Sequence, residues 1–207
     1  MSVSTRVPEF EIVEMDGPFL LRWKNPPDFS SDELLEFSEI NDALDLEREC
    51  DGSLLIMSPL SLTTARQETE VLFQLASWAR QDGTGEAFHT RASYYLPNRA
   101  MREPDGAWIR RERIASLPEA ELDTIPHLVP DFVVEVRSKS NALRRLQDKM
   151  QEYLANGVRL GWLLDAPTRT AYVYRPDAEV QVLEQPTTLD GSPELPGFTL
   201  DLTRVWR

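Results

Sequence analysis

Cysteine and histidine are scarce in this sequence, and their scarcity excludes several kinds of site. Cys50 is the single cysteine, and His89 and His127 are the two histidines among 207 residues. One cysteine excludes a disulfide framework, and the absence of a CxxC pair argues against a structural zinc site. The two histidines have no further ligand at metal-binding spacing, so we expect neither to bind a metal. No base is evident for Cys50, and we do not interpret it as a nucleophile.

The chain also lacks long hydrophobic runs and glycine-rich phosphate motifs. No segment approaches the roughly 20 apolar residues that cross a bilayer, and the first residues have no apolar core of the signal-peptide type. Neither a GxGxxG pattern nor a P-loop is present, which argues against a nucleotide cofactor. We therefore expect a soluble, cytoplasmic protein with no membrane contact.

Positive charge is in short supply. Lysine and arginine together number 22, against 35 aspartates and glutamates, so the net charge is -13. Because phosphate binding depends on Lys and Arg, this composition argues against an extended, non-specific nucleic-acid surface. Basic residues nevertheless cluster over 110–114, 137–140 and 144–149, where they form either solvated surface or local phosphate contacts.

The sequence does contain the pattern of one α/β (α+β) domain spanning residues 1–207. Amphipathic helices are predicted over 62–81 and 141–156. Three strands are predicted between these helices, over 86–97, 102–111 and 129–140. A further strand follows the second helix, so the order indicates a mixed central sheet flanked by helices.

This single domain is predicted to have three parts. Residues 1–60 read as an added N-terminal antiparallel layer, because no flexible linker separates them from the rest. Residues from about 61 to 175 read as the core, and residues 176–207 as an edge strand and a tail. The helices and strands of the core are therefore expected to position any site.

Carboxylates stand at unusual places in the predicted strands. The pairs Pro104-Asp105 and Pro130-Asp131 each open a strand, and the second strand also contains Glu135. A buried carboxylate is usually paired, hydrogen-bonded or bound to a metal. If Asp105 lies beside Glu135, the two raise each other's pKa unless a cation settles between them. Mg²⁺ is the natural occupant, and it can activate water for the hydrolysis of a phosphodiester.

Four segments carry a resemblance to a known family. They are "DGSLLIMSP", "REPDGAWIRRER", "VPDFVVEVRSKS" and "LQDKMQEYLANGVRLGWLLD". From about Leu46 to Arg175 the chain resembles the Uma-type family of restriction endonucleases, within the PD-(D/E)XK nuclease superfamily. The resemblance implies a restriction-endonuclease-like αβββαβ core, a divalent metal (Mg²⁺ or Mn²⁺) and a DNA substrate.

The resemblance also implies the residues of the site. Asp105 and Glu135 match the two metal-binding carboxylates, and Glu49 matches a third, upstream glutamate. Arg137 stands in the lysine position of the (D/E)-x-K motif, where it keeps the charge but cannot deprotonate to act as a base. Lys149 matches a lysine that many members place on the following helix instead. The implied catalytic residues are Asp105, Glu135, Lys149 and Arg137, and the implied metal ligands are Asp105, Glu135 and Glu49.

Two departures from the family pattern affect the neighbourhood of this site. Thr64 stands at about the place where the family commonly has a histidine, which weakens any role for a histidine. Lys139 replaces a proline in the "SPS" of the family, and it adds a cation near the expected phosphate path.

Other interpretations stay open at this level. Glu135 is also explained by a buried ion pair with Arg137 or Lys149, and Asp131 by a structural role. The fold could serve as a non-catalytic DNA-binding or protein-interaction module, which the substituted lysine and the net charge favour. A small-molecule-binding domain with Glu135 in a pocket has no positive support. We also expect a homodimer, which would gather the basic patches of an acidic chain around its active sites.

Overall fold

The computed structural model describes residues 10–14, 18–24, 29–41 and 44–207, and this part of the chain contains both helices and strands. The strands of this part are β1 (Phe10–Glu14), β2 (Phe19–Trp23), β3 (Leu46–Arg48), β4 (Leu54–Ile56), β5 (Gly85–His89), β6 (Tyr94–Tyr95), β7 (Met101–Arg102), β8 (Gly106–Arg110), β9 (Phe132–Arg137), β10 (Leu160–Asp165), β11 (Thr170–Tyr174), β12 (Gln181–Glu184), β13 (Thr188–Asp190) and β14 (Thr199–Asp201). Its helices are α1 (Ser31–Ile40), α2 (Leu62–Asp82), α3 (Arg111–Ala115), α4 (Leu143–Ala155) and α5 (Leu202–Val205), with a 3-10 turn at Glu119–Asp123. None of these described helices is long and apolar enough to cross a membrane.

The central sheet has the strand order β12-β11-β10-β9-β8-β5. Strands β9 and β10 run parallel, and the other neighbouring strands run antiparallel. A parallel pair needs a crossover connection, which α4 supplies. Along the chain, α2, β5, β8, β9, α4 and β10 therefore form the predicted αβββαβ core around the predicted mixed sheet.

The two long helices cover opposite faces of the central sheet. Phe132 and Val134 of β9 pack in one apolar cluster with α2. Val133, between them, belongs to the cluster on the other face, together with Tyr153 of α4. This alternation is the two-residue period of a strand. It also turns the side chain of Glu135 toward α4, where the Tyr153 hydroxyl donates a hydrogen bond to it.

The end of the chain closes the face that α2 covers. Strand β12 lies at the edge of the central sheet. After it, the segment from β13 to α5 buries Leu189, Phe198 and Leu202 in the same apolar cluster as α2. These residues therefore hold in place a helix that reaches the candidate site.

A second sheet, with the order β1-β2-β4-β3-β7-β6, joins the N-terminal strands to the middle of the chain. It corrects two strand predictions, because the segments 86–97 and 102–111 are each divided between the sheets, as β5 and β6 and as β7 and β8. The first segment breaks at a turn, with Arg91 at φ 75°. The second breaks at Pro104, which has no N–H to donate to a sheet. At each of these two breaks the chain crosses between the sheets, which ties them together.

Candidate active site

A small cavity of about 80 Å³ collects acidic side chains from both sheets and from α2 and α4. The carboxylates in its wall are those of Asp45, Glu47, Glu68, Glu103, Asp105 and Glu135. The cations in its wall are Arg145 and Lys149. Among the described residues, carboxylates in the wall therefore outnumber cations by six to two. This space is named the acidic cavity.

Asp105 and Glu135 lie side by side because of the register between β8 and β9. Gly106 pairs with Val134, so the residue before Gly106 lies level with Glu135. The backbone N–H of Val136 donates a hydrogen bond of 2.6 Å to Oδ2 of Asp105. The neighbourhood of the two carboxylates that the strand pattern predicts is therefore present in the structure.

Lys149 on α4 bridges two of the carboxylates. Its Nζ lies 2.7 Å from Oε1 of Glu135 and 2.7 Å from Oε1 of Glu47. The hydroxyl of Tyr153, one turn further along α4, donates to the same oxygen of Glu135 at 3.0 Å. Burial lowers the pKa of Lys149, but the two carboxylates outweigh burial and hold that pKa above its ordinary value. Lys149 is therefore an ammonium group at neutral pH.

The negative charge of the acidic cavity exceeds what Lys149 neutralises. Burial, and then the charges of Glu135 and Glu68, raise the pKa of Asp105 well above its ordinary value. Burial, followed by the charges of Glu135 and Asp45, raises the pKa of Glu68 to about 7. Burial also raises the pKa of Glu135, although Lys149 opposes it. Near neutral pH, the cavity must therefore hold either a proton or a further cation.

Glu68 enters the cavity from the buried face of α2, and the predicted motifs do not include it. It is 7% exposed, and no described residue donates a hydrogen bond to its carboxylate or pairs with it. Thr64, Val71 and Leu75 are buried on the same face of the helix. Positions 64, 68, 71 and 75 recur at helical spacing, so a glutamate on this stripe is the signal that could have found Glu68.

The structure brings Glu47, rather than Glu49, to the acidic cavity. Glu47 lies within β3, and it accepts the backbone N–H of Glu103 at 3.0 Å. Glu49 follows the strand, and its carboxylate lies 2.6 Å from Arg102 and 3.4 Å from Arg145. Both oxygens of Glu49 are therefore engaged by guanidinium groups, and Glu49 itself does not line the cavity.

Arg137 is also outside the acidic cavity. Its Nη1 lies 2.7 Å from Oδ1 of Asp165, and its Nε donates to the carbonyl of Asn141 at 2.9 Å. It lines an adjoining groove instead. The buried ion pair of Glu135 is therefore formed with Lys149 and not with Arg137.

The donor set of the acidic cavity suits a hard divalent cation in its chemistry, because carboxylate oxygens are the ligands that Mg²⁺ prefers. Within the described residues, no group of three or more His, Cys, Asp or Glu is arranged to hold a metal by itself. Mg²⁺ commonly takes only one or two protein carboxylates and completes its shell with water and substrate phosphate. The raised pKa of Asp105, with Glu135 and Glu68 beside it, fits a site that a cation would stabilise.

The arrangement can be compared with known proteins. A comparison with curated proteins gave no match. Among solved structures, the chain is similar to "a putative nuclease belonging to DUF820" from Anabaena variabilis, with a TM-score of 0.66 and 19% identity over 79% of this chain and 90% of that chain. This likeness shows the fold, a restriction-endonuclease-like core. The model of the Uma2 family, described as "Putative restriction endonuclease", matches residues 31–203. The match covers most of the sequence, and the chain, as its motifs predict, belongs to the Uma2 family.

Proposed function

We propose that this protein is a metal-dependent endonuclease that hydrolyses phosphodiester bonds in DNA. The observation that carries the proposal is the excess of carboxylate charge in the acidic cavity, where Asp105, Glu135 and Glu68 act on one another. Buried like charge of this kind opposes folding, and the sites that contain it are commonly functional. Membership of the Uma2 family supports the same reaction.

In this proposal, Asp105 and Glu135 hold Mg²⁺ or Mn²⁺, with Glu68 beside them. When bound, such an ion supplies an activated water molecule and neutralises charge on the phosphate. The N–H of Val136 orients the carboxylate of Asp105, and Tyr153 together with the Lys149 ammonium orients that of Glu135. Ligands fixed in this way are aligned before the substrate arrives.

Lys149 has a different part from the carboxylates. Its raised pKa keeps it protonated, so it does not accept a proton from the attacking water. Its ammonium group has three N–H donors, of which Glu47 and Glu135 take two. The third can reach a phosphate oxygen, where a fixed positive charge stabilises the negative charge that develops during cleavage.

The test is the cleavage of plasmid and single-stranded DNA by the purified protein with Mg²⁺, with Mn²⁺ or with EDTA. We expect cleavage only with metal, and a loss of about 100-fold or more in Asp105→Asn, since a metal ligand matters at least as much as the groups that orient it. Asparagine keeps an acceptor oxygen for the N–H of Val136, so the variant should fold. Asp123→Asn, the same change at an exposed position, is the control and should keep full activity. Cleavage that persists in EDTA or in Asp105→Asn would overturn the proposal.

A non-catalytic module with the same fold is the competing function. The ion pairs of Lys149 favour it, because Lys149 already pairs with both Glu47 and Glu135 and so neutralises part of their charge without a metal. Calorimetric titration of Mg²⁺ and Mn²⁺ into the wild type and Asp105→Asn separates the two functions. The nuclease predicts a metal site that the variant loses, whereas a module without catalysis predicts no carboxylate-dependent binding in either protein.

A further inference from the structure

A second and larger cavity, of about 640 Å³, lies beside the acidic one. The two share part of their walls, including Ser58 and Ser138. The charged residues in the larger wall are all cations, namely Arg137, Lys139 and Arg169. No described carboxylate lines it, although the net charge of the chain is -13. This space, lined also by the first turn of α2, is named the cationic groove.

Gln67 of α2 lines the cationic groove with a side-chain amide to which no described residue hydrogen-bonds. The residue is only 7% exposed, yet its side chain makes no hydrogen bond to any described residue. Its amide atoms are nevertheless not among the fully enclosed polar atoms of the described residues, so they open into the groove. A ligand in the groove can therefore reach this amide and form a hydrogen bond with it.

The first turn of α2 adds further donors to the same wall. Ser61 caps this 21-residue helix by accepting the N–H of Thr64, and both residues line the groove together with Thr63. The remaining N–H groups of a first turn lack partners within the helix, and the helix dipole favours an anion there. The groove therefore combines an unpartnered amide with a helix end that attracts negative charge.

Two of the three cations are available to meet such an anion. Arg137 is paired with Asp165 at 2.7 Å. Lys139 and Arg169, by contrast, are exposed, and no described residue forms an ion pair with either. The charges of Lys139 and Arg169 are therefore not neutralised by salt bridges among the described residues, and they are open to a ligand.

We infer that the cationic groove binds the phosphodiester backbone of DNA next to the bond that the acidic cavity cleaves. Lys139 and Arg169 supply positive charge, the first turn of α2 supplies N–H donors, and the amide of Gln67 donates to a phosphate oxygen. Because the two spaces share part of their walls, a strand bound in the groove lies directly beside the acidic cavity. The inference rests on the proposed function, and it gives an acidic protein a local route to nucleic acid.

The test measures binding apart from cleavage, by the fluorescence anisotropy of a labelled DNA duplex and of one of its single strands, in EDTA and again in Ca²⁺. Lys139→Ala/Arg169→Ala should weaken binding about tenfold or more and lower the slope of log affinity against log salt by about 1 to 2. Gln67→Met keeps the length of the side chain without its amide, and it should weaken binding about fivefold. Because Gln67 is neutral, that variant should leave the salt slope unchanged.

Matched controls separate the groove from general charge. Arg80→Ala/Arg159→Ala removes the same charge from exposed positions outside the groove, and Gln81→Met makes the same amide change on the exposed side of α2. Both controls should bind as the wild type does. Equal weakening by the groove pair and the control pair, or no binding by the wild type, would overturn the inference. Thermal melting checks folding, and the exposed pair decides the test if Gln67→Met does not fold.

Failure of this inference and failure of the proposed function give different results. Metal-dependent cleavage and DNA binding that the groove variants leave unchanged would overturn the groove and leave the nuclease standing. DNA binding that depends on the groove, without metal-dependent cleavage, would support the groove and favour the non-catalytic module.

Discussion

Two clusters of buried charge lie next to each other in this protein, and they are balanced differently. Around Arg102, which is 4% exposed, the carboxylates of Glu47, Glu49 and Glu152 lie 2.6 to 3.5 Å from the guanidinium nitrogens. Burial lowers the pKa of Arg102, but these carboxylates outweigh burial and raise it. Around Asp105, burial and then the charges of the carboxylates Glu135 and Glu68 raise the pKa of Asp105 well above its ordinary value, and Lys149 opposes them only weakly.

The difference distinguishes a structural cluster from a functional one. In a buried ion pair each partner neutralises the charge of the other, so removal of one partner leaves an unpaired buried charge and is strongly destabilising. An excess of like charge weakens the folded state, so it is expected where a ligand will balance it. Glu47 joins the two clusters, because one of its oxygens binds Lys149 and the other lies near Arg102. The Arg102 cluster therefore lies directly beside the acidic cavity and fixes the position of Glu47 in its wall.

The largest expected effect on stability comes from removing the guanidinium group of Arg102. Arg102→Met leaves three carboxylates without their shared partner, and we expect the free energy of unfolding to fall by about 3–5 kcal/mol. Urea unfolding measures it. Arg144→Met is the control, because Arg144 forms an exposed pair with Asp148 and should change stability by less than about 0.5 kcal/mol. Similar small losses in both variants would show that the two clusters are not different in kind.

Removal of a carboxylate charge from the cluster around Asp105 should instead raise the free energy of unfolding. The pKa of Glu68 is about 7 in the folded chain, against an ordinary value of 4.5. Between these two pH values the folded state therefore keeps a proton that the unfolded state releases. The contribution of Glu68 to the free energy of unfolding is thus fully present below pH 4.5 and is lost as the pH rises through about 7. We expect Glu68→Gln to stabilise the metal-free protein by on the order of 2 kcal/mol above that pH, with little gain in acid.

Melting curves of Glu68→Gln and the wild type across this pH range measure that gain. Glu70→Gln is the matched control, because Glu70 lies on the same helix, outside the wall of the acidic cavity. It should give no pH-dependent gain. A destabilised Glu68→Gln at all pH values would mean that Glu68 has a structural partner, and the comparison of the two clusters would fail.

A divalent cation should neutralise the excess negative charge around Asp105 and so stabilise the folded protein. Mg²⁺ at about ten times its dissociation constant should stabilise the wild type by about 1.4 kcal/mol. The effect should grow with pH, because bound metal displaces the proton that Glu68 holds. Melting temperatures with MgCl₂, and with KCl at equal ionic strength, measure it. Asp105→Asn should show no specific response, and an equal response in that variant would place the cation elsewhere.

The core of the site could be predicted because local patterns determine it. The alternation of β9 and the start of β8 place Glu135 beside Asp105, and the amphipathic pattern of α4 places Lys149 near the sheet. Each of these facts depends on neighbours in sequence or on the pairing of adjacent strands. The catalytic and metal-binding roles of these residues, and the homodimer, stay predictions.

The remaining residues of the site could not be predicted, because they depend on how distant elements pack. Gln67 and Glu68 are polar residues on the buried face of α2. The amphipathic helix predicted over 62–81 begins with the apolar Leu62, yet Leu62 is 88% exposed. The helix is rotated so that its first two turns cover two cavities rather than an apolar core. Sequence periodicity gives the spacing of a buried face but not the polarity of what that face meets.

The choice between Glu47 and Glu49 gives the smallest and most specific prediction. Family resemblance favours Glu49 as a metal ligand, whereas its contacts with Arg102 and Arg145 place it in the Arg102 cluster. Its side chain is 29% exposed, so Glu49→Gln should lower stability by less than about 1 kcal/mol and change metal affinity and cleavage by less than about twofold. Glu47→Gln, the matched variant, removes a carboxylate that binds Lys149, and it should lower cleavage more than tenfold. Urea unfolding, metal titration and cleavage rates measure both variants. A loss of metal binding in Glu49→Gln as large as in Asp105→Asn would return Glu49 to the metal site, and it would show that a carboxylate held by two guanidinium groups can still exchange them for a cation.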